Sequence, residues 1–328
     1  MGAIDVNNIF SLSADPAAFR EACLQTFRFQ YQENPVYREW CELTRTDPVA
    51  VKTLNTIPAL PISFFKSREV MSTSFVPQTV FESSGTTQSL TSRHLVKEVG
   101  IYRQSFLQAF TQFYGDITDW CILGLLPSYL ERQHSSLVMM VDELIRLSGH
   151  PASGFYLDEH DLLSKTLQQL EAQSQKTLLI GVTFGLLDFA AAYPQQLKHT
   201  VVMETGGMKG RRKELTRAEV HNLLMAGLGV GSIHSEYGMT ELLSQAYSQG
   251  EGRFTCPPWM KVLVRDEEDP LAVQESGRGI LQVIDLANMY SCSFIATEDV
   301  GKVYEDGSFE VWGRLDNSDI RGCSLLVV

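Results

Sequence analysis

The sequence predicts an α/β protein: a largely parallel sheet covered on both faces by helices, preceded by a helical segment and followed by a β-rich subdomain. Short continuous apolar runs alternate with helix-period stretches through the middle of the chain, which is how strands buried on both faces read. After Trp259 the texture changes to strands joined by Asp, Glu and Gly turns. No internal repeat or low-complexity linker interrupts the chain, so these parts are expected to pack as one body.

Taken in order, residues 1–75 are expected to form a mainly helical packing segment, in which Asp15 caps and Pro16 opens a helix running to about Glu33. Residues 76–258 form the α/β core. It begins with the strand-like Val76 to Phe81 and continues with three runs, each followed by a helix: Trp120 to Leu126 before Ser135 to Leu147, Thr177 to Val182 before Leu186 to Tyr193, and Thr200 to Met203 before Thr216 to Ala226. Residues 259–313 form the β-rich subdomain, with strands over Met260 to Arg265, Gly279 to Asp285 and Ser308 to Trp312. Residues 314–328 are a hinge-like segment and a short tail.

The 328 residues are 44% hydrophobic and 20% charged, enough to bury a sizeable core in one large or two intimately packed lobes. A net charge of −12 argues against a general nucleic-acid binder. The one basic cluster, Lys209, Arg211, Arg212 and Lys213, sits beside Glu214 and reads as a solvated helix start. No apolar run approaches the roughly 20 residues needed to span a bilayer, and Met1 to Asn8 lacks the basic start of a signal peptide, so a cytoplasmic protein is expected. Six cysteines, at 23, 41, 121, 256, 292 and 323, include no Cys-x-x-Cys pair, and seven histidines include no His-x-x-x-His pair. With no Gly-x-Ser-x-Gly elbow either, metal-hydrolase and serine-esterase readings lose ground.

The chemistry concentrates in three segments. Glu82-Ser83-Ser84-Gly85-Thr86-Thr87-Gln88 places two hydroxyl pairs around one glycine after an apolar run. Such a loop can turn its backbone N–H groups onto an anion while the hydroxyls donate to phosphate oxygens. Alone, it is equally the composition of an ordinary turn. The second segment is Ser235-Glu236-Tyr237-Gly238-Met239-Thr240-Glu241; the third runs from Ala296-Thr297-Glu298-Asp299-Val300-Gly301 through Asp306 to Gly313-Arg314-Leu315-Asp316.

In this order and at these separations, the three segments resemble the adenylate-forming superfamily of acyl-CoA synthetases, peptide-synthetase adenylation domains and luciferases. The chain is most similar to the acyl-protein synthetases of the bacterial bioluminescence (LuxE-like) type. That resemblance rests on Leu60-Pro61-Ile62-Ser63-Phe64-Phe65-Lys66-Ser67, Gln88 after the Thr pair, Glu204-Thr205-Gly206-Gly207-Met208-Lys209-Gly210-Arg211, and Ile320-Arg321-Gly322-Cys323. It covers the chain from about Ile57 onward and implies the large-domain fold of that superfamily.

The resemblance implies ATP and Mg²⁺. Forming an acyl adenylate is mainly a matter of neutralising and orienting phosphate oxygens. Ser83, Ser84, Gly85, Thr86 and Thr87 would hold the β and γ phosphates. Thr240 would donate to the α-phosphate and Glu241 would hold the metal, although a Glu at a helix start is also favoured by the macrodipole alone. By family position, Tyr237 stacks on the adenine, just before the turn at Gly238. Gly206 and Gly207 approach the base by backbone, Asp299 takes the ribose hydroxyls through both carboxylate oxygens, and Arg314 contacts ribose or phosphate. Two departures bear on the loop geometry: Thr297-Glu298-Asp299 replaces the common Thr-Gly-Asp, and Gln88-Ser89-Leu90-Thr91 replaces Gly-x-Pro-Lys.

Superfamily members usually continue past the hinge aspartate, matched here by Asp316, into a mobile domain that carries a lysine for adenylation. This sequence ends at Val328, so that domain and its lysine are expected to be absent, with Lys66, Arg93 and Arg314 as candidates to supply the charge. Lys66 reads equally as a surface lysine. Cys323 lies seven residues beyond Asp316, and Arg321 would favour its thiolate, the nucleophilic form. The run Cys323 to Val328 also reads as a terminal strand with a structural cysteine. The resemblance favours the first reading: acyl-AMP formed from a carboxylic acid, a fatty acid by analogy, then a thioester on Cys323, then transfer to a partner acyl reductase or carrier. Two alternatives stand beside it, an acyl-CoA or carrier-protein ligase with a structural Cys323, and a non-catalytic nucleotide-binding protein. Retention of both Glu241 and Asp299 speaks against the last. Phe106 to Phe113 and Phe184 to Leu187 are apolar enough to line an acyl pocket, although most such residues are core.

Overall fold

A computed structural model describes residues 6–12, 15–83, 91–127, 134–157, 159–206, 215–269 and 271–315. The helices are α1 (Val6–Phe10), α2 (Pro16–Glu33), α3 (Pro35–Leu43), α4 (Phe64–Ser67), α5 (Val99–Tyr114), α6 (Ser136–Ser148), α7 (His160–Ala172), α8 (Thr183–Ala192) and α9 (Arg217–Leu228). The strands before the β-rich part are β1 (Leu60–Pro61), β2 (Thr79–Glu82), β3 (Arg93–Val96), β4 (Cys121–Leu125), β5 (Gly154–Phe155), β6 (Thr177–Val182), β7 (Thr200–Thr205), β8 (His234–Tyr237) and β9 (Ala246–Ser248). They are followed by β10 (Met260–Arg265), β11 (Val273–Gln274), β12 (Gly277–Asp285), β13 (Phe294–Val303) and β14 (Phe309–Arg314).

Local chemistry sets the helix starts. The Asp15 carboxylate accepts from the Ala17 amide at 3.0 Å, with Pro16 at the first helical position. Ser135 caps α6 through the Val138 amide, and Thr216 with Glu219 forms a reciprocal capping box on α9. Buried Asn34 ends α2 and begins α3, accepting from the Tyr37 amide at 3.0 Å while donating to the Ser291 carbonyl at 2.9 Å.

The core sheet runs β5-β4-β6-β7-β8-β9, parallel except for its last pair. Both of its faces are covered, as the continuous apolar runs require. Cys121, Leu123 and Leu125 of β4 face α7, α8 and α9 through Leu163, Leu167, Phe189 and Leu224, whereas Ile122 joins the core that contains Phe106 and Phe110 of α5 and Val141 of α6. The aromatic residues of α5 are thus largely core. The first predicted strand is shorter than expected. It begins at Thr79, since Pro77 has no N–H to give a ladder and Val76 is exposed, and it pairs only with β3 in a separate ribbon.

The second sheet runs β1-β13-β12-β10-β11, with β14 on β13, and is antiparallel except for β1. Its ten-residue β13 shares one edge between β1 in its first half and β14 in its second. A register shift between Val300 and Gly301 follows the Asp299–Arg314 pair. Gly301 cannot carry a side chain there, because a Cβ would run into the Glu310 carbonyl.

Candidate active site

The carboxyl end of β8 delivers Tyr237, and β13 and β14 deliver Asp299 and Arg314 as direct cross-strand partners. The three meet. The Tyr237 hydroxyl donates to Asp299 Oδ2 at 2.8 Å, and Arg314 Nε donates to Oδ1 at 2.9 Å. Asp299 is almost fully buried, whereas the Arg314 side chain stays 55% exposed and reaches in from the rim. Burial, then the Asp299 charge, push the Tyr237 phenol well above its ordinary range, so it stays a donor. Burial works to lower the Arg314 pKa, but the neighbouring Asp299 outweighs it and the net shift is upward. Each Asp299 oxygen keeps a free lone pair, enough for a vicinal diol to accept nothing and donate twice. The Tyr237 ring packs edge-on against Phe254 (5.9 Å) and Phe309 (5.3 Å), which fixes its plane.

Four residues beyond Tyr237, Glu241 is buried. Burial raises its pKa, opposed by a hydrogen bond from Ser92 and by the charges of Arg314 and Lys66. Lys66, on α4, and Arg314 therefore both bear on this carboxylate. Arg93, the third candidate cation, is instead paired at the surface with Glu82 at 3.6 Å.

The Thr240–Glu241 backbone is held from two directions by residues that sequence reasoning missed. His94 Nδ1 donates to the Thr240 carbonyl at 2.9 Å, and Asn288 Nδ2 donates to the Glu241 carbonyl at 2.7 Å. Burial pushes the His94 imidazole down to about 4, against the pull of Thr240, so the ring is neutral. Ser92 and His94 stand two apart on one side of the β3 chain, which is how both reach the same dipeptide. Buried Asp285, raised to about 6 by burial, accepts from the Leu243 amide at 2.8 Å and the Ser244 hydroxyl at 2.6 Å just downstream. A His two residues after a Ser was the only available signal, and it is a weak one.

Ser83 closes the base of the hydroxyl loop. Its amide donates to the Ser92 carbonyl at 3.1 Å and its hydroxyl accepts from the Ser92 amide at 2.9 Å. Gly206 follows β7, its carbonyl accepting from the Thr183 hydroxyl at 3.1 Å. Ser84, Gly85, Thr86, Thr87, Gly207, Asp316 and Cys323 lie outside the described residues.

Glu236, one residue before Tyr237, is a further buried carboxyl beside the site. Burial raises it to about 7, the Thr205 hydroxyl opposing and Glu204 adding. Raising a carboxyl pKa on folding stabilises the protein below the unfolded pKa and removes that stability as pH rises through the folded value. From about 4.5 to about 7 the carboxyl therefore costs about 3 kcal/mol. His94 and His234, both pushed down to about 4 by burial, act oppositely over an overlapping range. The comparison that isolates Glu236 is Glu236→Gln against wild type: the variant's relative stability is expected to rise between pH 4.5 and 7 and then level off, checked by urea melts across that range.

A hard cation such as Mg²⁺ takes one or two carboxylates together with substrate phosphates. Glu241 fits: it is a buried carboxyl whose pKa burial raises, a cost that a bound cation would offset. Among the described residues, no cluster of three or more His, Cys, Asp or Glu forms a cage for a metal by itself, and no helix is long and apolar enough to cross a membrane.

A model of the acyl-protein synthetase family, LuxE, matches residues 7–328. A curated relative from Aliivibrio fischeri, a long-chain-fatty-acid–luciferin-component ligase, is 22% identical over 330 residues, which takes in 92% of this chain and 85% of that protein. Among solved structures, ATP-bound MatB from Rhodopseudomonas palustris matches with a TM-score of 0.54 at 16% identity, over 72% of this chain and 47% of MatB. An open 2-hydroxyisobutyryl-CoA ligase in complex with 2-HIB-AMP and CoA matches with a TM-score of 0.65 at 12% identity, over 92% of this chain and 75% of that one. The chain thus spans about half the length of MatB. At these identities the structural likeness is one of fold.

Proposed function

Because the chain belongs to the acyl-protein synthetase (LuxE) family and has the adenylate-forming fold, we propose that it activates a carboxylic acid with ATP and passes the acyl group to its own Cys323. The observation that carries the first half is the meeting of Tyr237, Asp299 and Arg314 at one strand end, with Glu241 close enough for the Arg314 charge to act on it.

On this reading Asp299 accepts from the ribose hydroxyls, Tyr237 lies against the adenine, and Gly206 and Gly207 approach the base by backbone. The loop from Ser83 to Thr87 takes the β and γ phosphates, and the Thr240 hydroxyl donates to the α-phosphate. Glu241 would hold Mg²⁺, which when bound would neutralise charge on the phosphate oxygens. The substrate carboxylate oxygen bonds to the α-phosphorus as the bond to pyrophosphate breaks. Lys66 and Arg314 place positive charge beside these oxygens. The Cys323 thiolate then attacks the acyl carbon, forming a thioester and expelling AMP. An acyl reductase or a carrier protein takes the acyl group from there. The relative's name points to a long-chain fatty acid for that protein, and a fatty acyl chain is the starting expectation here.

The test is ATP–pyrophosphate exchange by the full chain in Mg²⁺ with a panel of fatty acids. Exchange is expected to depend on the acid. Exchange absent with every acid, while ATP still binds, rejects adenylation and favours a nucleotide-binding protein.

A further inference from the structure

Adjacent residues on a strand project to opposite faces of a sheet. At the end of β8, Tyr237 therefore turns to Phe254 and Asp299, and Glu236 turns the other way, towards Tyr102 and Tyr114 of α5. Glu236 stands in a cross-strand row with Thr205 of β7 and Tyr247 of β9. Its Oε2 accepts from the Thr205 hydroxyl, and its Oε1 lies so close over Gly238 that a Cβ there would collide with it. The carboxyl thus leans onto the Tyr237–Glu241 segment from the side opposite the nucleotide residues.

Its neighbours are poor in free donors. The Tyr102 hydroxyl donates to the Ser136 carbonyl at 2.8 Å, Tyr114 is paired with His234 at 3.2 Å, and Tyr247 points at the Met140 sulfur at 3.9 Å. The Glu236 charge nonetheless reaches all three phenols, adding to the upward push of burial. Gln245, whose Cγ lies 3.4 Å from the same Gly238 position, is 4% exposed, and its Oε1 has no hydrogen-bond partner. Two buried polar side chains, one with an unpartnered amide oxygen, flank one glycine beside the reacting segment. A buried acceptor without a donor costs on the order of 1–3 kcal/mol, a cost that a plain hydrocarbon chain would leave in place.

We propose that Glu236 and Gln245 form the polar end of the acyl site, and that the acid activated here carries a hydrogen-bond donor, a hydroxyl or an ammonium, where its chain passes Glu236. This rests on the reading that the chain adenylates an acid, and it narrows that acid from an unsubstituted chain to a substituted one. A site built to accept from a substrate O–H or N–H rejects the analogue lacking it far more strongly than an apolar pocket rejects an extra methylene.

The experiment measures kcat/KM for ATP–pyrophosphate exchange by the full chain with dodecanoic acid, with hydroxydodecanoic acids substituted at successive positions, and with the matching amino acids. Wild type is expected to prefer at least one substituted acid over dodecanoic acid by about 100-fold or more. Glu236→Leu is expected to reverse that preference by losing the substituted acid while keeping or gaining the plain one. The isosteric Glu236→Gln keeps the packing and tells the two donors apart: retained use of the hydroxy acid assigns a hydroxyl, and loss confined to the amino acid assigns an ammonium. Robust exchange with dodecanoic acid and a substrate ratio unmoved by Glu236→Leu overturns this inference and leaves adenylation standing. Exchange with no acid at all overturns both.

Discussion

Replacing Asp299 by alanine is expected to lower the ATP–pyrophosphate exchange rate constant kcat/KM for ATP by about 100- to 1000-fold. Each hydrogen bond from a ribose hydroxyl to a carboxylate is worth about 1.5–3 kcal/mol, and two of them, even discounted for overlap, give about 3–4 kcal/mol, with tenfold for every 1.4. The same substitution strips the buried Tyr237 hydroxyl of its acceptor, so a loss of about 1–2 kcal/mol in stability accompanies it. The Arg314 ion pair adds little to stability because its cation is more than half exposed. Asp299→Asn separates the two effects. Its amide oxygen can still accept from Tyr237, but its N–H₂ then faces the Arg314 N–H, and only one acceptor oxygen remains for the diol. Stability close to wild type with exchange still collapsed is the expected pattern, read by thermal melts and exchange in parallel. Exchange within threefold of wild type in both variants removes Asp299 from the nucleotide site.

The second large effect concerns Cys323. Incubation with Mg²⁺, ATP and a competent acid is expected to add one acyl mass to the wild-type chain, released by neutral hydroxylamine as a thioester should be. Cys323→Ser is expected to lose that labile adduct completely and to keep pyrophosphate exchange within a few-fold. The other five cysteines are unsuited to compete. Burial pushes the Cys121 thiol up to about 11 and Cys41 and Cys256 up to about 12, with Cys23 and Cys292 higher still, so hardly any thiolate exists at neutral pH. A labile adduct persisting in the serine variant would move the acyl group to another residue. Exchange with no adduct in wild type would make coenzyme A or a carrier the direct acceptor.

What the sequence made legible was local or carried by a motif. Asp15-Pro16 declares a helix start because cap and capped amide are neighbours in the chain. The run Thr177 to Val182 is a strand over its whole length because both faces are buried. Strand β13 was harder to see, since Thr297-Glu298-Asp299-Val300-Gly301-Lys302 has the composition of a loop. It is extended because β12 on one side, with β1 and β14 on the other, supply its ladder. In the site, Tyr237, Asp299, Glu241 and Arg314 were all visible as motif positions, and the structure brings them to one place. The groups that hold them were not visible. His94 lies 146 residues from Thr240 and Asn288 lies 47 from Glu241, and no spacing rule connects residues that meet only after the ribbon and the two sheets have packed.

The Glu241 carbonyl rests on Asn288, and the Asn288 carbonyl in turn accepts from Gln30 on α2 at 3.1 Å. Gln30 also reaches the carbonyl of Met289 at 3.0 Å and takes the Ser293 amide at 3.0 Å. The segment bearing Glu241 therefore hangs from the first long helix and the β-rich sheet, while Glu236 hangs from Thr205 and Tyr247 inside the core sheet. These two suspensions share no side chain. On the proposed reading, a lineage built on this chassis can change the acid it accepts at Glu236 and its neighbours, provided that their contact with Gly238 is kept, while the support of Glu241 by Asn288 stays in place. On the same reading, drift at Gln30 or Asn288 would disturb the phosphate chemistry for every acid alike.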